Sequence, residues 1–255
     1  VVIAYTTASA GNAITGTVSG TSISFGTDTV FNSAVSQFPA PVYNSTDNKI
    51  IIAYMDAGNS EHGTAIVGTV NNSDNSISFG SEVVFQNSAI RDDAVGMSVV
   101  FDSNVNRVVI CYRDNNYKGS AIVGTVSGTS ISFGTAVVFS DASTDGISAA
   151  FDSNVNKVAI AYNLGDAGKG IVGTVDSSDN SISFGSEAAL ANTNVSESKS
   201  TVFDSSSNKI VVSYGNTSNS TIGTSVVGTI SGTNISFGTP AAFNATAVAN
   251  VKAAF

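Results

Sequence analysis

The stretch VVFDSNVNRVVICYRDNNYKGSAIVGTVSGTSISFGTAVVF, residues 99–139, decides the fold, because its parts return along the whole chain. SISFG stands at 22–26, 76–80, 130–134 and 181–185, and NISFG at 234–238. The five glycines Gly26, Gly80, Gly134, Gly185 and Gly238 are spaced by 54, 54, 51 and 53 residues. Upstream of each lies a second shared segment: AITGTV at 13–18, AIVGTV at 65–70 and 121–126, GIVGTV at 170–175 and SVVGTI at 225–230. A third ends in tyrosine: VVIAY at 1–5, IIIAY at 50–54, VVICY at 108–112, VAIAY at 158–162 and IVVSY at 210–214. A fourth closes on an aromatic, at Tyr43, Phe101, Phe151, Phe203 and Phe255.

Each unit of about 53 residues therefore holds four short apolar segments, separated by Gly, Asn, Asp and Ser. Val, Ile, Thr and Phe favour strands, and no segment carries the 3.6-residue period of an amphipathic helix. Four strands per repeat at this period predicts an all-β fold, a five-bladed β-propeller with four antiparallel strands in each blade. The second and third strands are apolar on consecutive residues, as in Val108–Tyr112, which suits a sheet covered on both faces. The fourth alternates Ser130 and Ser132 with Ile131 and Phe133, as a half-exposed outer strand does. The first is rich in small residues, as in Ser148, Ala149 and Ala150, which suits a crowded innermost position. The glycine after SISF marks a bulge or bend.

The repeats fall at approximately 1–37 plus 245–255, 38–93, 94–144, 145–195 and 196–244, in a single domain spanning 1–255. The chain opens on the second strand of a unit and stops on the first. In four units the aromatic of strand one precedes the tyrosine of strand two by 11 residues, as Phe101 precedes Tyr112. The C-terminal strand ending at Phe255 is therefore expected to pair with the N-terminal blade, opposite the strand ending at Tyr5, and close the ring. Closure would remove exposed sheet edges. A longer ring of six or seven blades and an open solenoid are the competing readings.

Composition narrows the function. Only 11% of residues are charged, and the net charge is −9. Nucleic acid is not expected as a partner, since phosphates demand clustered Lys and Arg. No apolar run approaches the ~20 residues of a membrane-spanning helix, so membrane insertion is not expected. Val1 opens directly into an apolar strand, with no basic leader before it. One cysteine permits no intrachain disulfide.

Two loop classes are nearly uniform. The strand one-to-two turns read NSTDNK, DSNVNR, DSNVNK and DSSSNK, and the three-to-four turns read SGTS, NNSDNS or SSDNS. The other two classes vary, including DAGNSEHG at 56–63, DNNYKG at 114–119, NLGDAGKG at 163–170, GNTSNSTIG at 215–223, QNSAIRDDAVG at 86–96 and ANTNVSES at 191–198. A uniform scaffold with one varied face is how binding surfaces are commonly built. On that face Tyr117, with Asn115, Asn116 and Lys118, could stack on a sugar ring and bond its hydroxyls. His62 beside Glu61, and Arg91 with Asp92, are the remaining ligand-binding candidates. The D-x-N-x-N spacing of Asp102, Asn104 and Asn106 starts like a calcium loop but lacks its glycine and distal glutamate, and these residues also favour turns. Cys111 replaces Ala53 and Ala161 of other repeats and reads as a core filler. No metal site, cofactor or catalytic residue is expected, and the chain is not read as an enzyme.

The combination of AIVGTVSGTSISFGTAVVF with VVFDSNVNRVVICY resembles propeller-type repeats of structural and tail-fibre proteins of marine viruses, those of cyanobacteria above all. The resemblance covers essentially the whole chain and is one of repeat style, carrying no functional residues. It implies a virion-surface or extracellular protein whose loops serve attachment or assembly. Two functions follow as expectations. One is a non-catalytic adhesion module that binds a glycan or protein receptor through its varied loops. The other is a purely structural spacer whose partners are other subunits of a virion or filament.

Overall fold

The structure is a computed structural model that describes residues 1–90 and 97–255. Its described residues form strands and turns, with two single-turn 3-10 helices at Ala57–Asn59 and Thr217–Asn219. Packing divides the chain into two compact units, residues 1–90 with 124–133, and residues 91–123 with 134–255. The strand Lys118–Ser127 runs from one into the other.

In the first unit, Val2–Thr6 pairs antiparallel with Gly11–Ser19, which in turn pairs with Ser22–Phe25. The second repeat adds the innermost strand, in the order Ser36–Asn44, Lys49–Asp56, His62–Asn71 and Ser76–Phe79. In the second unit the fourth repeat has the same order: the end of Val137–Asp152, then Lys157–Leu164, Ala167–Asp176 and Ser181–Phe184. Side-chain burial follows the expected alternation, with Ile131 and Ile182 buried and Ser132 and Ser183 exposed. The outer position is more divided than four segments imply. The chain turns out at the glycine and returns, so that Val83–Ala89 pairs with the other end of His62–Asn71.

The SISFG glycine has a clear physical reason. A methyl group at Gly26 would overlap the carbonyl oxygen of Asn75, in the three-to-four turn of the next repeat. Gly80 meets Thr129 in the same way, Gly134 meets Asn180, and Gly185 meets Thr233. Only a residue without Cβ lets the next turn approach this closely. The joints are otherwise aromatic and aliphatic. Phe31 packs on Tyr54 and Phe79 with ring centroids 5.1 and 5.9 Å apart, and Phe139 packs on Tyr162 and Phe184 at 5.1 and 5.6 Å. The tilted and edge-on geometries are those aromatic pairs prefer.

The strand-two tyrosines are buried at their rings but bonded at their tips. The Tyr54 hydroxyl donates to Glu82 at 2.7 Å, and that of Tyr162 to Glu187 at 2.8 Å. Burial first, and the carboxylate second, hold both phenols well above the ordinary tyrosine range. Each acid stands two residues after the SISFG glycine, a position held by Asp28 in the first repeat and by Ala136 and Pro240 in the third and fifth. Tyr162→Phe removes one charged hydrogen bond while half-exposed Glu187 keeps access to water. We expect a loss of about 1–2 kcal/mol in denaturant unfolding.

Innermost strands are linked by serine. Ser98 Oγ accepts from Ala149 N, Ser148 Oγ from Thr201 N and Ser200 Oγ from Ala253 N, all at 2.9–3.0 Å. Residues 251–255 thus continue the row of innermost strands, but they form no strand of their own. The expected ring closure is corrected here. Val2–Thr6 pairs with Gly11–Ser19 alone among the described residues, and the sheet is not closed. The other strand one–strand two pairs are hairpins whose turns fix register, whereas no turn joins residues 251–255 to Val2–Thr6.

A second correction concerns the four-to-one connections. Residues 191–198 are not a loop but part of the continuous strand Ala188–Asp204, and Val137–Asp152 makes the same connection one repeat earlier. Each such strand pairs first with the outer edge of one repeat, then crosses to the inner edge of the next through a register shift.

Candidate functional site

Because successive strands are antiparallel, the two-to-three loops and the four-to-one crossings meet at the same end of each repeat. In the third repeat the Asp114 carboxylate accepts from the backbone nitrogens of Asn116 and Lys118, at 2.8 and 3.0 Å. Tyr117 N donates to Asp114 O, and Tyr117 O accepts from Thr144 N. These bonds hold Tyr117 at φ 66°, a left-handed conformation unusual for a bulky side chain. The residue is 41% exposed, and its ring centroid lies 5.1 Å from the buried Arg113 guanidinium, which is ion-paired with Asp145.

The loop therefore brings Asn115, Asn116, Tyr117 and Lys118 together, as the sequence suggests. Lys118 Nζ is 2.7 Å from Asp141, and that bond raises its pKa, so its charge is already matched. Glu61 and His62 belong to the other compact unit. There the backbone of Glu61, at φ 61°, bonds Asp56 and Ile90, and His62 begins a strand opposite Asp56. Arg91 and Asp92 lie outside the described residues.

The fourth repeat carries a pocket that sequence reasoning missed. Asn163 follows the strand-two tyrosine, the place Arg113 holds one repeat earlier. Its Nδ2 donates to the Val195 carbonyl at 2.8 Å. Its Oδ1 is buried with no hydrogen-bond partner, although the residue is only 1% exposed. An orphaned buried acceptor is costly, which makes it informative. Asn163 lines a pocket of about 410 Å³ together with Asp166, Glu197, Thr217, Asn250 and the apolar Val195. The pocket is shaped by the tight Gly165–Asp166 turn, where Gly165 takes φ 57°, and by the backbone bond from Val195 N to Asp166 O.

Beside it, Lys199 is buried on the innermost strand of the fifth repeat, where Ile147 stands in the fourth. Its Nζ donates to the carbonyls of Gly146 and Glu197, at 2.8 and 3.2 Å. Burial lowers its pKa to about 7, with Glu197 and Asp145 partly offsetting that shift.

No protein-family model matches the sequence, and no curated protein matches it by sequence. Solved structures do resemble it. The SapL1 lectin in complex with alpha methyl fucoside matches with a TM-score of 0.53 at 12% identity, over 92% of this chain and 72% of that one. The Aleuria aurantia lectin with Fucalpha1-6GlcNAc matches with a TM-score of 0.50 at 11% identity, over 95% and 79%. The Dos1 propeller matches with a TM-score of 0.50 at 12% identity over 86% of this chain, which spans about half, 51%, of that chain's length. The fold is a β-propeller.

The end of the repeats opposite the varied loops is built for turns. Asp102 Oδ1 accepts from Asn104 N and Val105 N, Asp152 from Asn154 N and Val155 N, and Asn44 from Thr46 N and Asp47 N. Asn106, Asn156 and Asn48 each take a left-handed φ of 53–55°. This hydrogen bonding accounts for the D-x-N-x-N spacing as turn chemistry. The varied loops are less varied in shape than in sequence. The second and fifth repeats share a 3-10 turn capped by Asp56 or Asn216.

Proposed function

We propose that the chain is a non-catalytic carbohydrate-binding module, and that a neutral sugar occupies the pocket walled by Asn163. The observation that carries this reading is the pocket of about 410 Å³ in which Asn163, Asp166, Glu197, Thr217 and Asn250 stand with Val195 and Val251. Sugar hydroxyls donate to Asp166 and Glu197, Thr217 and Asn250 offer further hydrogen bonds, and Asn163 fixes the wall they meet through its bond to the Val195 carbonyl. Both carboxylates disfavour an acidic sugar by like-charge repulsion. The apolar wall suits the C–H face of a pyranose. Tyr117, one blade earlier at the same end, offers an exposed ring for a longer glycan. Two lectin propellers among the structural relatives, one with methyl fucoside and one with a fucosyl disaccharide, support the reading. Display outside a cell or on a virion is the setting we propose with it.

A glycan array tests this, with the unmodified chain beside Asn163→Ala and Tyr117→Ala. We expect saturable binding of neutral glycans, weakened at least 10-fold by Asn163→Ala and less by Tyr117→Ala. Silence across the array from a folded chain would favour the spacer or assembly role instead.

A further inference from the structure

Strand one enters its pairing with strand two through a bulge. In the second and fourth repeats three steps along strand one, Gln37 to Ala40 and Asp145 to Ser148, face two along strand two. In the fifth, four steps from Val195 to Lys199 face two, from Asn216 to Tyr214. The bulge of the fifth repeat is therefore one residue longer, and its Ser196, Glu197 and Ser198 line the Asn163 pocket. Backbone that has left the ladder needs other partners. Ser196 holds one side: its Oγ accepts from Gly215 N at 3.0 Å and donates to Ser198 O at 2.9 Å. Lys199 holds the other, its Nζ donating to Glu197 O in the bulge and to Gly146 O in the preceding repeat. Gly146 takes φ 56°, and a Cβ there would overlap both Glu197 O and Lys199 Nζ.

The core alone does not ask for a lysine here. Buried Ile147 fills the corresponding place in the fourth repeat. A lysine in its stead costs the burial of an amine and adds two bonds that tie the bulge to the repeat before it. The charged groups around Nζ are Glu197 on its own strand and Asp145 on Val137–Asp152, the latter ion-paired with Arg113. Tyr214 is its cross-strand partner, and Lys252, on the segment whose Ala253 bonds Ser200, is exposed.

We infer that Lys199 is a positioning residue for the Asn163 pocket, fastening the bulge that carries Glu197 and Ser198 against the preceding repeat. The inference rests on the sugar-binding reading of that pocket and adds its regulation. Opening the bulge releases Nζ into water, where a lysine keeps its proton up to about pH 10.5; buried in the closed bulge, it keeps the proton only up to about 7. Between these values the open form binds more protons, so a falling pH favours opening. Below 7 both forms are protonated and the balance no longer moves. A sugar that needs the bulge in place therefore binds more tightly at pH 9 than at pH 7.

Two measurements test the fastening apart from the sugar. The first is amide hydrogen exchange of the unliganded chain, corrected for the chemical rate at each pH. The amides of Val195 and Gly215, bonded to Asp166 O and Ser196 Oγ, report opening of the bulge. We expect their protection to stay below that of core Ile160, to rise by as much as about 10-fold per pH unit from 7 to 9, and to be low and level in Lys199→Met. Level protection in the unmodified chain, or protection equal to that of Ile160 at every pH, overturns the proposal. The second is the affinity for methyl α-fucoside, expected to be at least about 3-fold higher at pH 9 than at pH 7 and equal at both in Lys199→Met. Binding that ignores pH overturns the fastening and leaves the sugar reading standing. No binding, with the exchange pattern present, overturns the sugar reading and leaves the fastening standing. His62, the single histidine, is untouched by the substitution, so a pH dependence that survives in Lys199→Met belongs elsewhere and overturns the proposal.

Discussion

Gly185→Ala is expected to lower stability by about 3 kcal/mol, a fall in melting temperature of roughly 5–10 °C. The added methyl would overlap the Thr233 carbonyl oxygen. That atom belongs to the backbone of a hydrogen-bonded turn, so it cannot rotate aside as a side chain could. Gly185 has no left-handed φ, so alanine brings no conformational penalty of its own and the effect isolates the clash. Gly238→Ala is the control. Its methyl enters open space, and its effect on monomer stability should stay within about 0.5 kcal/mol. Both are read by urea unfolding at concentrations where the chain is monomeric. Equal losses in the two variants would mean that the glycine serves the bend within its own blade, not the joint to the next.

The second large effect is a dependence of stability on pH centred on Lys199. Its pKa falls from 10.5 in the unfolded chain to about 7 in the folded one. Below pH 7 the group is protonated in both states and adds no pH dependence. Between 7 and 10.5 the unfolded chain binds more protons, so stability rises with pH. Buried Tyr54, Tyr112, Tyr162 and Cys111 work the other way, since burial raises all four pKa values. Their unfolded forms ionise from about pH 9 upward and stability then falls. The unmodified chain should gain about 2–3 kcal/mol from pH 7 to 9 and lose it above 10. Lys199→Met keeps the length of the side chain and should flatten the rise. A rise that persists in Lys199→Met would assign it to another group.

The scaffold was legible because it repeats. The SISFG glycine, the strand-two tyrosine and the Asx turns each recur in the same frame, so one local rule is stated several times. What each glycine presses on was hidden, since Asn180 and Thr233 lie about 50 residues downstream. The site was less legible for the same reason. Tyr117 stands out as an aromatic off the repeat. Asn163 is one asparagine among many, and it becomes distinctive only when the Val195 carbonyl of the next blade takes its amide and leaves its oxygen buried. Lys199 sits in SKSTVF, among small residues that suggest an innermost strand. Its burial depends on Gly146, 53 residues away. The four-to-one connections read as loops because Asn, Ser and Asp fill them, yet pairing with two successive blades holds them extended.

Binding of a neutral sugar in the Asn163 pocket is read by a backbone-amide NMR titration with methyl α-fucoside and the other neutral monosaccharides. We expect saturable shifts confined to the amides around Gly165, Asp166, Ser196 and Asn250, abolished in Asn163→Ala. Saturable shifts clustered elsewhere, or none with any sugar up to millimolar concentrations, would contradict it.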